Sequence, residues 1–408
     1  MKLNNIVLSA LLALWGSTAS AQQPVDYVDP FIGTTNFSVC NPGAVLPHGL
    51  MSVVPFNVMG SDLNQHDKDG RWWSAPYEYH NKFFTGFAHV TMSGVGCPEL
   101  GSLLTMATTG PLDVDYHNYG SEYQDEKATP GYYALTLKKY GVRAETSATL
   151  RSGIERYTFP KGRANILLNV GDGLSNESGG MVKRVSDTEI EGYRLLGTFC
   201  YNAQAVFPIY FVMRVSKRPQ TTGYWKKQPK FTGVKSQWDK DNGRYKLYEN
   251  YNCELAGNEV GYYFSYDCRE GEQIEVRMSV SFVSMANARE NLDAEQQGLS
   301  FADIRQKARD TWEKTLSRVT VEGGTEAQKR VFYTALYHSQ LHPNILQDVN
   351  GQYPEMENGR TGHTKGNRYT VFSLWDTYRN VGQLETLLYP DRQLDMVRSM
   401  VDMYKEWG

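Results

Sequence analysis

From Val25 to Met285 the sequence reads mostly as strands separated by Gly, Asn, Asp and Pro, the clearest with apolar side chains at every second position, and after Met285 apolar residues recur at every third or fourth position. A period of two puts one face of a strand on a core, and a period near 3.6 does the same for a helix, so the two stretches need different architectures. The clearest alternation is Ile274-Glu-Val-Arg-Met-Ser-Val-Ser-Phe282. Tyr133-Ala-Leu-Thr-Leu137 and, beyond the turn at Gly141, Val142-Arg-Ala-Glu-Thr146 repeat it. Pro208-Ile-Tyr-Phe-Val-Met213 is apolar throughout, as expected of a strand covered on both faces. Many strands with little helix between them predict a large antiparallel β-sandwich over residues 22–285.

After Met285 the start signals are helical. Ser300 with Asp303 three residues on reads as a helix N-terminus, followed by Ile304, Ala308, Trp312, Leu316 and Val319 at helical spacing. Thr325-x-x-Gln328 is a second capping box, and Pro343 closes its segment. A third helix is expected near Ser373, and a fourth after Pro390 with Leu394, Val397, Val401 and Tyr404 on one stripe. Residues 286–319 are assigned to a linker helix and 320–408 to the start of a helical domain. Three or four helices with inner faces this apolar do not close a domain, so the helical part is expected to be incomplete at Gly408.

The N-terminus has a basic start at Lys2, an apolar run from Ile6 to Trp15 and a small-residue end at Ala19-Ser-Ala21. These are the parts of a secretory signal peptide, with cleavage expected near Ala21 and a periplasmic or secreted mature protein. The apolar run is too short to span a bilayer. A net charge of −3 gives no electrostatic reason to expect nucleic acid or an anionic membrane as partner. The 27 tyrosines and 8 tryptophans supply flat rings with polar edges, which suit the mixed faces of sugars but also serve packing. Five widely spaced cysteines, without a C-x-x-C pair, form no zinc or redox motif and leave at least one thiol free.

Other motifs have plain structural readings. His338-x-x-x-His342 has zinc-ligand spacing, but Ser339 stands where a metalloprotease needs Glu, and histidines near a helix C-terminus commonly satisfy the last carbonyls. Asp67-Lys-Asp-Gly70 begins like a calcium loop, yet no Glu closes it, so a polar turn is expected. No G-x-S-x-G, P-loop or Rossmann fingerprint is present in the sequence. Two segments combine aromatic and polar groups densely: Arg71-Trp-Trp-Ser-Ala-Pro-Tyr-Glu-Tyr79 with Phe84 to Cys97, and Phe372-Ser-Leu-Trp-Asp-Thr-Tyr-Arg379. In the second, Trp375 and Asp376 read equally as an indole and carboxylate for a sugar, or as a core residue and a helix-capping acid.

Five stretches resemble motifs of glycoside hydrolase family 92, in the family's order. They are Tyr27-Val-Asp-Pro-Phe-Ile-Gly-Thr34 with Pro42-Gly-Ala-Val-Leu-Pro47; Thr85-Gly-Phe-Ala-His89 with Ser93-Gly-Val-Gly96; Lys127-Ala-Thr-Pro-Gly-Tyr-Tyr133; Phe332-Tyr-Thr-Ala-Leu-Tyr-His338 with His342-Pro-Asn344; and Ser373-Leu-Trp-Asp-Thr-Tyr-Arg379. The resemblance implies a β-sandwich followed by an (α/α)6 toroid, and a calcium-dependent, inverting, exo-acting α-mannosidase acting on mannose-containing glycans of N-glycan or mannan type. It implies that Trp375 and Asp376 line the pocket for the terminal mannose, and that Trp73 and His89 reach it from sandwich loops. Asn41 is the candidate calcium ligand within the chain. The family's acid and base residues and most calcium ligands are expected beyond Gly408. The alternative is a non-catalytic glycan-binding sandwich, or the relic of a truncated mannosidase gene.

Overall fold

The computed structural model describes residues 22–35, 39–68, 73–174, 177–199, 202–228, 243–357 and 359–408. The expected signal peptide, Arg71, Trp72, Cys200 and part of the Asp67–Gly70 turn lie outside them. The strand alternation resolves into two large sheets in which every pairing is antiparallel. The eight-stranded sheet runs in the order Ala44–Val45, Ser52–Phe56, Gly86–Thr91, Leu100–Thr109, Gly162–Asn169, Val260–Cys268, Thr221–Lys227 and Tyr245–Glu249. The ten-stranded sheet is centred on Asn202–Val215, Glu272–Ser281, Ser152–Phe159 and Val142–Ala148. One continuous apolar core fills the space between them.

The Glu272–Ser281 strand shows how sequence selects a face. Ile274, Val276, Met278 and Val280 are buried, while Glu275 and Arg277 between them are half-buried. The all-apolar Pro208–Met213 stretch is covered on both sides, as read from its sequence. Ile209, Phe211 and Met213 enter the sandwich core, and Val212 packs on Ala288 and Leu292 of the Met285–Gln296 helix. That helix lies on the outer face of the ten-stranded sheet, so residues 286–319 hold two helices rather than one linker helix.

Both capping boxes form. Ser300 and Asp303 start the Phe301–Leu316 helix, and Thr325 and Gln328 start Glu326–Ser339. The N-terminal segment packs against this pair: Val25 N–H donates to Glu313 at 3.0 Å and Asp29 N–H to Thr334 at 3.0 Å. Trp312 is fully buried, and its indole N–H donates to the Val45 carbonyl at 2.7 Å. Beyond Ser339 the chain makes two short hairpin-like pairs, Asn344–Ile345 with Tyr369–Thr370 and Gln352–Pro354 with Thr361–His363, which the sequence reading did not include. Helices Leu374–Thr377, Val381–Leu388 and Pro390–Trp407 follow. On the last, Met396 and Ser399 face inward, while Leu394, Val397, Val401 and Tyr404 are exposed. The fold is thus a β-sandwich followed by a few helices.

Two seams join the two parts, and a third contact fastens the helical part to itself. Asp348, buried, accepts hydrogen bonds from Ser281, Asn287 and Asn291 at 2.7, 2.8 and 2.6 Å. Arg151 reaches from the sandwich to the Gln347 carbonyl at 2.6 Å and pairs with Glu295 at 2.9 Å. Within the helical part, the buried Arg368 pairs with the half-buried Glu406 at 2.8 Å and ties the segment at the Tyr369–Thr370 strand to the last helix.

Candidate functional site

The first helical turn after Ser373 carries Trp375 and Asp376. Trp375 is 73% exposed, with the Arg379 guanidinium 5.0 Å above its ring. Asp376 is exposed, and its carboxylate accepts a hydrogen bond from the Ser373 hydroxyl. Among the described residues nothing covers the indole into a core, while the carboxylate is tied to the helix start and still open to solvent. An exposed ring beside an exposed carboxylate can present a flat face and hydrogen-bond acceptors to a polyol.

Trp73 and His89, expected on loops around that pocket, sit elsewhere. His89 lies on the Gly86–Thr91 strand with no exposure, its Nδ1–H donating to the Leu103 carbonyl at 2.7 Å. Its Nε2 is 3.1 Å from Glu155 Oε1, close enough for a charge contact but without hydrogen-bond alignment. Glu155 itself accepts from Thr105 at 2.5 Å and Tyr157 at 2.6 Å. Trp73 is part of the sandwich core, stacked on His66 with centroids 4.4 Å apart. The Gly86–Thr91 strand is buried along its whole length and Trp73 belongs to the sandwich core, so both placements on pocket loops are corrected to the interior.

Asn41 is buried too. Its amide N–H donates to the Met92 carbonyl at 3.0 Å, and its oxygen accepts from Gly43 N–H at 3.2 Å. Calcium takes about 6–8 oxygen ligands. No group of three or more His, Cys, Asp or Glu side chains is gathered for a metal among the described residues. These residues do not by themselves fit a calcium ion. The His338/His342 pair is not a metal site either: His342 lies past the helix end, its Nε2 accepting from Ser93 N–H at 2.9 Å and its Nδ1–H donating to Asn344 at 2.7 Å. Burial lowers the pKa of both histidines, consistent with the neutral ring these two bonds require. Cys97 is disulfide-bonded, while Cys40, Cys253 and Cys268 are free.

A cavity of about 560 Å³ opens where the sandwich meets the segment leading to Trp375. Its walls come from the ends of the Gly86–Thr91 and Leu100–Thr109 strands, from Phe207, Pro208 and Tyr210, from Phe282, and from residues 354–356, 359–361 and 370–371. Glu99 lines it and is 2% exposed, with the Leu100 N–H beside its carboxylate but no hydrogen bond of good geometry to either oxygen. Burial pushes this carboxyl up to about 7, against a smaller lowering by the nearby Leu100 N–H. Thr91, also on the wall, has an unpartnered buried hydroxyl. Sequence reasoning did not single out Glu99; the signal was an acid enclosed by Cys97-Pro98 and Leu100-Gly101 between two apolar strands.

With this geometry in place, comparison with known proteins decides the family. The glycosyl hydrolase family 92 N-terminal domain matches residues 27–281, and the family's catalytic domain matches residues 287–408. The chain belongs to glycosyl hydrolase family 92. A family 92 α-mannosidase from Bacteroides thetaiotaomicron, solved also with mannoimidazole, is similar at a TM-score of 0.81 and 29% identity, covering 94% of this chain and 50% of that one. A family 92 inverting mannosidase of the same organism shares the fold at 0.77 and 24% identity, over 94% of this chain and 49% of the other. An uncharacterized secreted glycosidase of Arthroderma benhamiae is 23% identical over 91% of this chain and 48% of its own length. The family 92 chain described here thus spans about half the length of the relatives it matches.

Proposed function

We propose that the protein to which this chain belongs is an exported glycosidase that removes terminal α-linked mannose from glycans. The observation that carries it is the 29% identity over nearly the whole chain with a family 92 α-mannosidase that has been solved with mannoimidazole. In this reading Trp375 stacks on the sugar ring and Asp376 accepts from its hydroxyls, in agreement with their exposure side by side.

An inverting reaction needs one carboxylic acid to protonate the leaving oxygen and one carboxylate to activate water, roughly 6.5–9.5 Å apart across the sugar. We assign both, and the ligands of a calcium ion, to the part of the family's length that this chain does not span, and the toroid to the same extension of its helices. Export follows from the N-terminal leader and agrees with the secreted relative; no helix among the described residues is long and apolar enough to cross a membrane. N-terminal sequencing of exported material should find Gln22 first, and an intact Met1 would refute the leader.

The test of the activity is release of mannose from an aryl α-mannoside by the full-length protein, with and without a calcium chelator. Turnover lost on chelation and restored by calcium is expected. Absence of turnover on any α-mannoside, with glycan binding retained, would favour the non-catalytic glycan-binding alternative.

A further inference from the structure

The Leu374–Thr377 turn that carries Trp375 and Asp376 buries none of its own side chains, and the Val381–Leu388 helix that follows buries only one, Glu385. A helix is ordinarily seated by an apolar stripe. Here Leu384 and Leu388 are only partly buried and Leu387 is exposed, so the deepest contact of the helix is a carboxylate.

The partner that receives it is fixed on its own side. Gln340 caps the C-terminus of Glu326–Ser339 and has no exposure, and its carbonyl accepts from His48 N–H at 2.8 Å, which ties it to the segment after the Ala44–Val45 strand. Its side-chain amide N–H donates to Glu385 Oε1, and its amide oxygen accepts from the Arg392 guanidinium. One amide thus bridges the Val381–Leu388 and Pro390–Trp407 helices, and its separate donor and acceptor give each bond a direction. Beside it Arg392 lies 4.6 Å from the Tyr389 ring, and the Tyr389 hydroxyl donates to the Thr315 carbonyl at 2.8 Å, which closes the junction between the two helices.

Glu385 Oε2 has no hydrogen-bond partner among the described residues, and Glu385 lines a gap of about 220 Å³ shared with Ser373, Leu374, Thr377 and Tyr378 of the turn. Burial raises the pKa of this carboxyl, against smaller lowering effects of Gln340 and Arg392. A half-satisfied buried acid is less favourable than an apolar side chain of similar size, so packing alone gives no reason for one here. Direction does. A carboxylate bonded to a fixed amide sets the rotation and height of its helix, whereas an apolar side chain of about the right size accepts several settings.

We propose that Glu385 is a positioning residue for the turn, its carboxylate locking the Val381–Leu388 helix to Gln340 so that Trp375 and Asp376 stand at one place and angle. The proposal rests on the glycosidase reading, in which those two side chains hold the terminal mannose, and contacts of that kind are sensitive to small displacements. The test uses the full-length protein labelled with fluorotryptophan, the Trp375 fluorine resonance being assigned with Trp375→Phe. Glu385→Gln keeps an acceptor for the Gln340 amide, while Glu385→Met keeps the length without the acceptor. Glu385→Gln should leave a single Trp375 line and a KM for an aryl α-mannoside within about twofold of the wild type. Glu385→Met should broaden or split that line and raise KM by about tenfold with kcat little changed, the pattern of lost uniform binding, while its thermal midpoint is equal or higher. Gln340→Asn, one methylene short of the bridge, breaks the same link from the other side and should reproduce the disturbed line, so the role is read even if Glu385→Met fails to fold. An unchanged Trp375 line in the folded variants, equal losses in Glu385→Gln and Glu385→Met, or a loss of activity that only follows a lowered thermal midpoint would overturn it. The fluorine signal needs no turnover. A split line in a protein that hydrolyses no α-mannoside would remove the mannosidase and leave the positioning role; turnover with an undisturbed line would do the reverse.

Discussion

Asp376 stands in water with the Ser373 hydroxyl as its hydrogen-bond donor, so its removal leaves no buried group unsatisfied. Asp376→Ala should therefore shift the thermal midpoint little, while activity of the full-length protein falls by about tenfold or more if the carboxylate holds substrate hydroxyls. A large loss of stability in calorimetry would instead assign the residue to capping. Glu99 is the opposite case. Its carboxyl is raised from 4.5 to about 7 in the folded protein. A raised value means that its stabilising contribution is complete below about pH 4.5 and is lost as pH rises through about 7. Glu99→Gln should match the wild type in stability near pH 4.5 and exceed it at pH 8, by up to about 3 kcal/mol, in denaturant titrations at the two pH values. Equal pH profiles would mean that the carboxylate is solvated.

Among the elements, the helices were the most legible because their start signals are local. A capping box needs only the residues at its two ends, and those at Ser300 and Thr325 stand as read. Ser300→Ala should cost about 1 kcal/mol in chemical denaturation. The packing of the same helix is not local: Trp312 fills the contact with Tyr337 and bonds the Val45 carbonyl far away in sequence. Trp312→Ala should cost about 3–5 kcal/mol, since it leaves a cavity and frees a buried carbonyl. The Met285–Gln296 helix was readable only indirectly, through a strand too apolar to have an exposed face. The short pairs between Asn344 and Thr370 carry no alternation long enough to read.

At the scale of the molecule, the sandwich and the helical part are joined by buried polar contacts as well as by apolar packing. Asp348 takes three donors, two of them from the Met285–Gln296 helix. Asp348→Ala would remove the acceptor of the Ser281 hydroxyl and one acceptor from each asparagine amide, at a cost of several kcal/mol. Because the seam couples the two parts, the wild type should unfold in one transition and the variant should separate into two when sheet and helix signals are followed together. Coincident transitions in the variant would show that the apolar contacts alone couple them.

The sequence by itself determined where strands give way to helices, where helices start, and which motifs identify the family, because periodicity, caps and motifs are properties of neighbouring residues. Tertiary structure decided what each polar side chain does. His89, Trp73 and Asn41 carry the same residue types that a sugar site would use, yet strand pairing and the facing sheet bury all three. Nothing in the local sequence separates Glu99 from an ordinary acid in a loop, and it lines a cavity only because Phe207, Phe282 and Val371, remote in sequence, close around it. Whether a polar group meets water, a partner or a cavity depends on which distant layer covers it, and the local pattern of residues contains no measure of that.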